Sequence, residues 1–222
     1  MDIANISRQI ALWALPVLIA ITFHEVAHGL IANKLGDPTA KMMGRLTLNP
    51  IAHIDLFGTI LMPLLLLVLT HGQFVFGYAK PVPINPMNFK NPKRDMAVSA
   101  AGGPAMNILL AVASVIILKF IIAPASAFFP EDIATKILLP AALMLKASAM
   151  INVVLAAFNL IPIPPLDGGR ILVGFLPYRH AVSYSRIEPF GFIIVLILIY
   201  TGIANYFIVP LISFFLRLLN LI

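Results

Sequence analysis

With 60% of its 222 residues hydrophobic, 11% charged and a mean hydropathy of +0.98, this chain is no soluble domain, in which about a quarter of residues are charged. The absence of cysteine excludes disulfides and thiolate metal sites, so any metal must be held by His, Asp or Glu. The net charge of +6 is spread over short loops with no basic block interleaved with aromatics, which suits anionic lipid headgroups and argues against nucleic acid.

The first apolar run, Ile10 to Ala32, is too long for the core of a cleavable signal and reads as a retained spanning helix with a kink at Pro16. Leu56–Thr70 is apolar but short and contains Pro63. Met96–Ile122 and Ile137–Ile161 each have spanning length, and Phe190–Ala204 and Tyr206–Leu219 form a long apolar pair. Two linking stretches read as extended. Residues 41–50 (KMMGRLTLNP) alternate with a period of two, and residues 74–86 (FVFGYAKPVPINP) carry aromatic and β-branched residues followed by prolines. Strand at membrane depth is tolerated only against protein or a water-filled cavity, so the two are expected to pair as a hairpin lining one. The predicted fold is an all-α polytopic membrane protein with about five or six transmembrane helices and a small membrane-embedded β-hairpin. It is a single domain over 1–222, with its core at 10–175 and C-terminal helices at 188–220. If every apolar run spans, counting Lys and Arg on the two faces favours a cytoplasmic N-terminus.

Residues 22–29 read TFHEVAHG. His24 and His28 are spaced i, i+4, so on a helix both imidazoles project from one face and can share a metal ion. Glu25 stands beside that face, able to reach a metal-bound water without being a ligand. This H-E-x-x-H pattern is the signature of zinc hydrolases with a glutamate general base. Chance placement of this chain's few histidines and glutamates gives about 0.0015 expected occurrences. The plainer alternative is a pair of bundle-facing histidines bonded to neighbouring helices, but burying these groups in hydrocarbon demands compensation, which a divalent metal provides.

A tetrahedral catalytic zinc needs three protein ligands and an open position. The metzincin arrangement fails, because Ile31 and Lys34 stand where its Gly and third His would be. The third ligand is therefore one of His53, Asp55, His71, Glu131, Asp132, Asp167, His180 and Glu188. Asp167 stands out by its setting, FNLIPIPPLDGGR. Pro162, Pro164 and Pro165 break the preceding helix and force an extended approach, and Gly168 and Gly169 permit a tight turn against another backbone. A helix-capping aspartate remains the alternative reading of that motif.

HEVAH in a transmembrane helix, followed much later by NLIPIPPLDGG, resembles the site-2 protease family of intramembrane zinc metalloproteases. AAGGPAMN resembles the start of that family's core helix, and the compact form with GRLTLNP, HID and GYAKPVPINP looks like its short prokaryotic branch without a PDZ domain. The resemblance covers Phe23 to about Arg170. It implies that His24, His28 and Asp167 bind one Zn2+, that Glu25 activates the water, and that Asn159 stabilises the oxyanion or holds the substrate backbone. It also implies a multi-pass protein of a prokaryotic inner membrane that cleaves transmembrane protein substrates, as in regulated intramembrane proteolysis. Gly103, Pro104 and Asn107 are assigned to close helix packing. In the family core the two motif helices run parallel with one helix between them, so Leu56–Thr70 is expected to be re-entrant. A membrane zinc hydrolase of a non-peptide substrate, and a non-catalytic transporter or scaffold retaining a metal, are the alternative functions.

Overall fold

The computed structural model describes residues 3–69 and 77–221, with side chains from residue 12 onward. Thus His71 and the first residues of the expected second strand, 74–76, lie outside the described residues. Three apolar helices have spanning length. They are α1 (Ile3–Lys34), α3 (Pro92–Ala125) and α4 (Glu131–Asn159), and α2 (Leu56–Leu69) lies between the first two. After α4 come α5 (Asp167–Phe175), α6 (Tyr178–Ser185), α7 (Glu188–Tyr200) and α8 (Asn205–Leu218). Helices α6 and α7 meet at a 69° bend and make a fourth span if taken together. The 14 residues of α8 extend only about 21 Å, and α2 has the same length, against about 30 Å of hydrocarbon. Among the described residues there are thus three or four spans, not the five or six expected, because two of the apolar helices are too short to cross upright.

Side-chain pairings fix the relative directions of the long helices. His28 and then His24 of α1 meet Ser99 and then Asn107 of α3, so these helices are antiparallel. Asn107 and Ser114 of α3 meet Asn152 and Ser148 of α4, so these are antiparallel too. Helices α1 and α4 are consequently parallel. The chain leaves α1 and enters α3 at the same end of the bundle, which a single crossing by α2 would not allow.

The expected β-hairpin is absent among the described residues. Residues 45–49 and 77–85 are extended but belong to no sheet. Pro81, Pro83 and Pro86 interrupt the row of backbone donors a ladder needs. The donors that remain are met singly: Lys80 N–H by His53 O (2.9 Å), Val82 N–H by the Glu25 carboxylate (2.8 Å) and Asn85 N–H by Asp37 (2.7 Å). The Arg45 guanidinium, donating to Lys80 O at 2.9 Å, supplies the tie between the two stretches.

Asp37 is the fastener of this region. It is fully buried and accepts from Thr39 N–H and Oγ1–H, Asn85 N–H and the Asn88 amide. Burial opposes its charge, but hydrogen bonds from Thr39, Asn88 and Asn85 outweigh that and hold its carboxyl below the ordinary range. The segment lying across the C-terminal part of α1 is thereby pinned to the turn that follows it.

Candidate metal centre

The three side chains of the site come from two helices. His24 and His28 lie one turn apart on α1, each 8% exposed, and Asp167, 7% exposed, opens α5. The chain between Asn159 and Asp167 leaves α4 through Pro162, Pro164 and Pro165, and the Tyr184 hydroxyl donates to Pro162 O to hold this approach. A Cβ at Gly168 would fall on the Leu160 carbonyl, and one at Gly169 on the peptide between Ile163 and Pro164. Only glycine lets α5 start so close to the end of α4, as the sequence setting of Asp167 implied.

His24 Nε2 and His28 Nε2 are 3.0 Å apart, and each is 3.3 Å from Asp167 Oδ2. Their tautomers follow from the partners on the far side of each ring. His28 Nδ1 faces Ser99 O at 2.8 Å, a pure acceptor, so Nδ1 carries the proton. The His24 tautomer is set through two amides. Asn152 Nδ2 donates to Ser148 O, so its Oδ1 accepts from Asn107 Nδ2 (2.8 Å), which turns Asn107 Oδ1 towards His24 Nδ1 at 2.5 Å. That ring also carries its proton on Nδ1. Both Nε2 atoms then present lone pairs, and neither offers a hydrogen to the other or to the carboxylate. Asp167 Oδ2 is indeed buried without a hydrogen-bond partner.

Three converging lone pairs repel unless a cation lies among them. For a tetrahedral ion with bonds of about 2.0–2.1 Å, neighbouring ligand atoms lie about 3.3–3.4 Å apart. The two 3.3 Å separations match that spacing and the 3.0 Å between the nitrogens falls a few tenths short of it, and the two-nitrogen, one-carboxylate donor set is that of catalytic zinc. Gly103 stands directly behind the rings: a Cβ there would fall on His28 Nε2 and His24 Cε1. It thus serves the site as well as the helix packing to which the sequence assigned it.

Glu25 is half-buried, its Oε2 accepting from Val82 N–H. Asn159 ends α4, its Nδ2 bonded to Leu155 O at 2.9 Å within its own helix. The other candidate ligands sit elsewhere. His53 is buried and donates from Nε2 to Thr47 O, and Asp55 caps α2 by accepting from Gly58 N–H. Asp132 pairs with Lys136 and Glu188 with Arg170, while Glu131 and His180 are exposed. Among the described residues, only His24, His28 and Asp167 gather as a group that could hold a metal ion.

Three supporting residues escaped the sequence reading. Ser99 and Asn152 were not singled out, and Asn107 was given to packing. A signal was present: Ser99, Gly103 and Asn107 on α3, and Ser148 and Asn152 on α4, recur every four residues and so share one face. Polar stripes on lipid-embedded helices face inward. Replacing Asn107 with Ala frees the His24 tautomer while sparing every ligand, and zinc affinity is expected to fall about 10–100-fold. Titration against a competing chelator measures it, and unchanged affinity would mean that another group orients His24.

A buried two-histidine, one-carboxylate site inside a bundle of membrane-length helices defines the class, a membrane zinc hydrolase. Comparison with known proteins places it more narrowly. The family model for "Peptidase family M50" matches residues 131–202. The chain is 35% identical over 197 residues to "Putative zinc metalloprotease YwhC" of Bacillus subtilis, covering 89% of this chain and 84% of that protein. It is 27% identical over 198 residues to "Putative zinc metalloprotease Rip2" of Mycolicibacterium smegmatis, covering 89% and 70%. No solved structure matches significantly. The chain belongs to peptidase family M50, the site-2 proteases, and is a zinc metalloprotease of the membrane.

Proposed function

We propose that this protease hydrolyses peptide bonds in or near the transmembrane segments of membrane proteins in a prokaryotic inner membrane, with His24, His28 and Asp167 as its zinc ligands and Glu25 as its general base. The observation that carries this reading is the convergence of two unprotonated Nε2 atoms and an orphaned carboxylate oxygen inside a spanning bundle. His28 and His24 precede Lys34 by six and ten residues, about 9 and 15 Å along α1. That depth suits bonds near a membrane boundary.

Zinc at this site supplies Lewis acidity, polarising a scissile carbonyl and lowering the pKa of a water towards about 7. Glu25, steered by Val82 N–H, takes the proton of the attacking water and passes it to the leaving amide nitrogen. Asn107 and Ser99 hold the imidazoles in the tautomer that leaves Nε2 available. Peptide bonds in a helix are shielded, so the substrate must unwind, and the extended stretch 77–85 beside Glu25 is a surface along which an extended backbone can lie. Asn159, with one N–H bonded within its helix, has a second to offer the substrate backbone or the oxyanion.

Orientation follows from the antiparallel α1 and α3. Lys34, Lys41, Arg45, Lys80, Lys90, Lys93 and Arg94 then lie at the end of the bundle where α1 stops and α3 starts, and Arg170, Arg179 and Arg186 join them. Arg8, Lys119, Lys136 and Arg217 lie at the other end, a smaller number. We infer that the first end is cytoplasmic and the N-terminus is not, contrary to the count in which every apolar run spans. Since the chain contains no cysteine, single cysteines at Met43, Met87 and Phe128 report cleanly. An impermeant reagent outside the cell is expected to label the third and spare the first two. Opposite labelling of positions 43 and 87 would make α2 a full span.

The function itself is tested in liposomes holding the protease and a transmembrane reporter. Cleavage within or beside the reporter's apolar segment, lost on chelation and restored by zinc, is the expected result. A zinc-loaded enzyme that leaves all such reporters intact yet hydrolyses a non-peptide ester or amide would favour the other hydrolase reading.

A further inference from the structure

We propose that the cavity between the start of α3 and helices α5 and α6 is a binding site for one anionic phospholipid of the surrounding bilayer. Its volume of about 640 Å³ is in the range that encloses a small ligand. Met96, Val173, Ala181 and Val182 give it an apolar floor, suited to acyl chain. Lys93, Arg170 and Arg186 face it with Glu188 as the one acidic group among its lining residues.

The cations are not equally available. Arg170 is paired with Glu188 at 3.0 Å, and Lys93 Nζ donates to Leu176 O. Arg186 is exposed and makes no ion pair among the described residues. The cavity therefore has a surplus of positive charge beside an apolar floor, the complement of an amphiphile with an anionic head. A small soluble anion would use the charge and leave the floor bare. Basic pockets between membrane helices are where anionic headgroups bind.

The surroundings place the opening at the membrane interface. Tyr178 lines the cavity and is 79% exposed, and Phe175 beside it is 83% exposed, as aromatic side chains are at headgroup level. The occupant would also brace the metal centre. Pro164 and Arg170, which line the cavity, lie three residues before and after Asp167. The proposal itself does not depend on how the metal centre works.

The test is native mass spectrometry of the purified chain in detergent with phosphatidylglycerol or phosphatidylcholine added. One phosphatidylglycerol is expected to stay bound per chain and to raise the melting temperature, with phosphatidylcholine doing neither. Arg186→Glu should weaken its retention by more than about tenfold. Val182→Trp, which fills the floor from an exposed position, should abolish retention while leaving helix content by circular dichroism unchanged. Equal retention of the two lipids, or retention untouched in both variants, would overturn the assignment. So would displacement of the lipid by millimolar inorganic phosphate or by a soluble acidic peptide, which would make the site one for a free anion or a protein segment.

Discussion

Glu25→Gln is expected to retain zinc at one ion per chain and to cleave a transmembrane reporter at least about 100-fold more slowly, since a positioned general base contributes about 10²–10⁴-fold. The substitution is nearly isosteric, and the glutamine carbonyl can still accept from Val82 N–H, so the extended stretch over α1 keeps its anchor. What it removes is the ability to take a proton. Zinc content and cleavage rate are measured on the same preparation. Residual cleavage within tenfold of wild type would strip Glu25 of its role, and loss of zinc would make it a ligand.

Asp167→Ala is expected to do the reverse, emptying the site. With the carboxylate gone, two imidazole nitrogens 3.0 Å apart remain, which is short of the three ligands that a catalytic zinc requires. Zinc affinity should fall by more than about 100-fold, beyond what loss of an outer partner produces. Asp167→Asn separates ligand loss from helix destabilisation. It keeps the shape at the start of α5 but gives up the charge, so it should also lose zinc while retaining the wild-type melting temperature of the metal-free chain. Normal zinc content in both variants would return the third ligand to the unassigned acids and histidines, His71 included.

Much of the site was legible because it is local. The i, i+4 spacing of His24 and His28 on one apolar helix is a property of helical geometry, and no distant contact is needed to put both rings on one face. The membrane class followed from composition. The setting of Asp167 was legible too, because three prolines and two glycines act on the backbone wherever they stand. The hairpin expectation failed for a related reason. A period of two shows that a stretch can be extended, but whether it joins a ladder depends on a partner edge, and the prolines of 77–86 leave too few donors for one.

By itself the sequence determined a lipid-embedded helix carrying two imidazoles on one face and a glutamate beside them, with a short set of acids and histidines from which a third group could join them. The tertiary structure brings Asp167 of that set, 139 positions after His28, within 3.3 Å of both imidazoles, because only packing brings α5 against α1. Packing also fixed the histidine tautomers through Ser99 and Asn107 and turned α1 and α3 antiparallel. That direction, in turn, puts the cations mostly at one end of the bundle. These features depend on which faces of the helices meet. Between lipid-embedded helices that choice rests on small residues and buried hydrogen bonds, not on hydrophobicity, which the lipid satisfies equally well on every side.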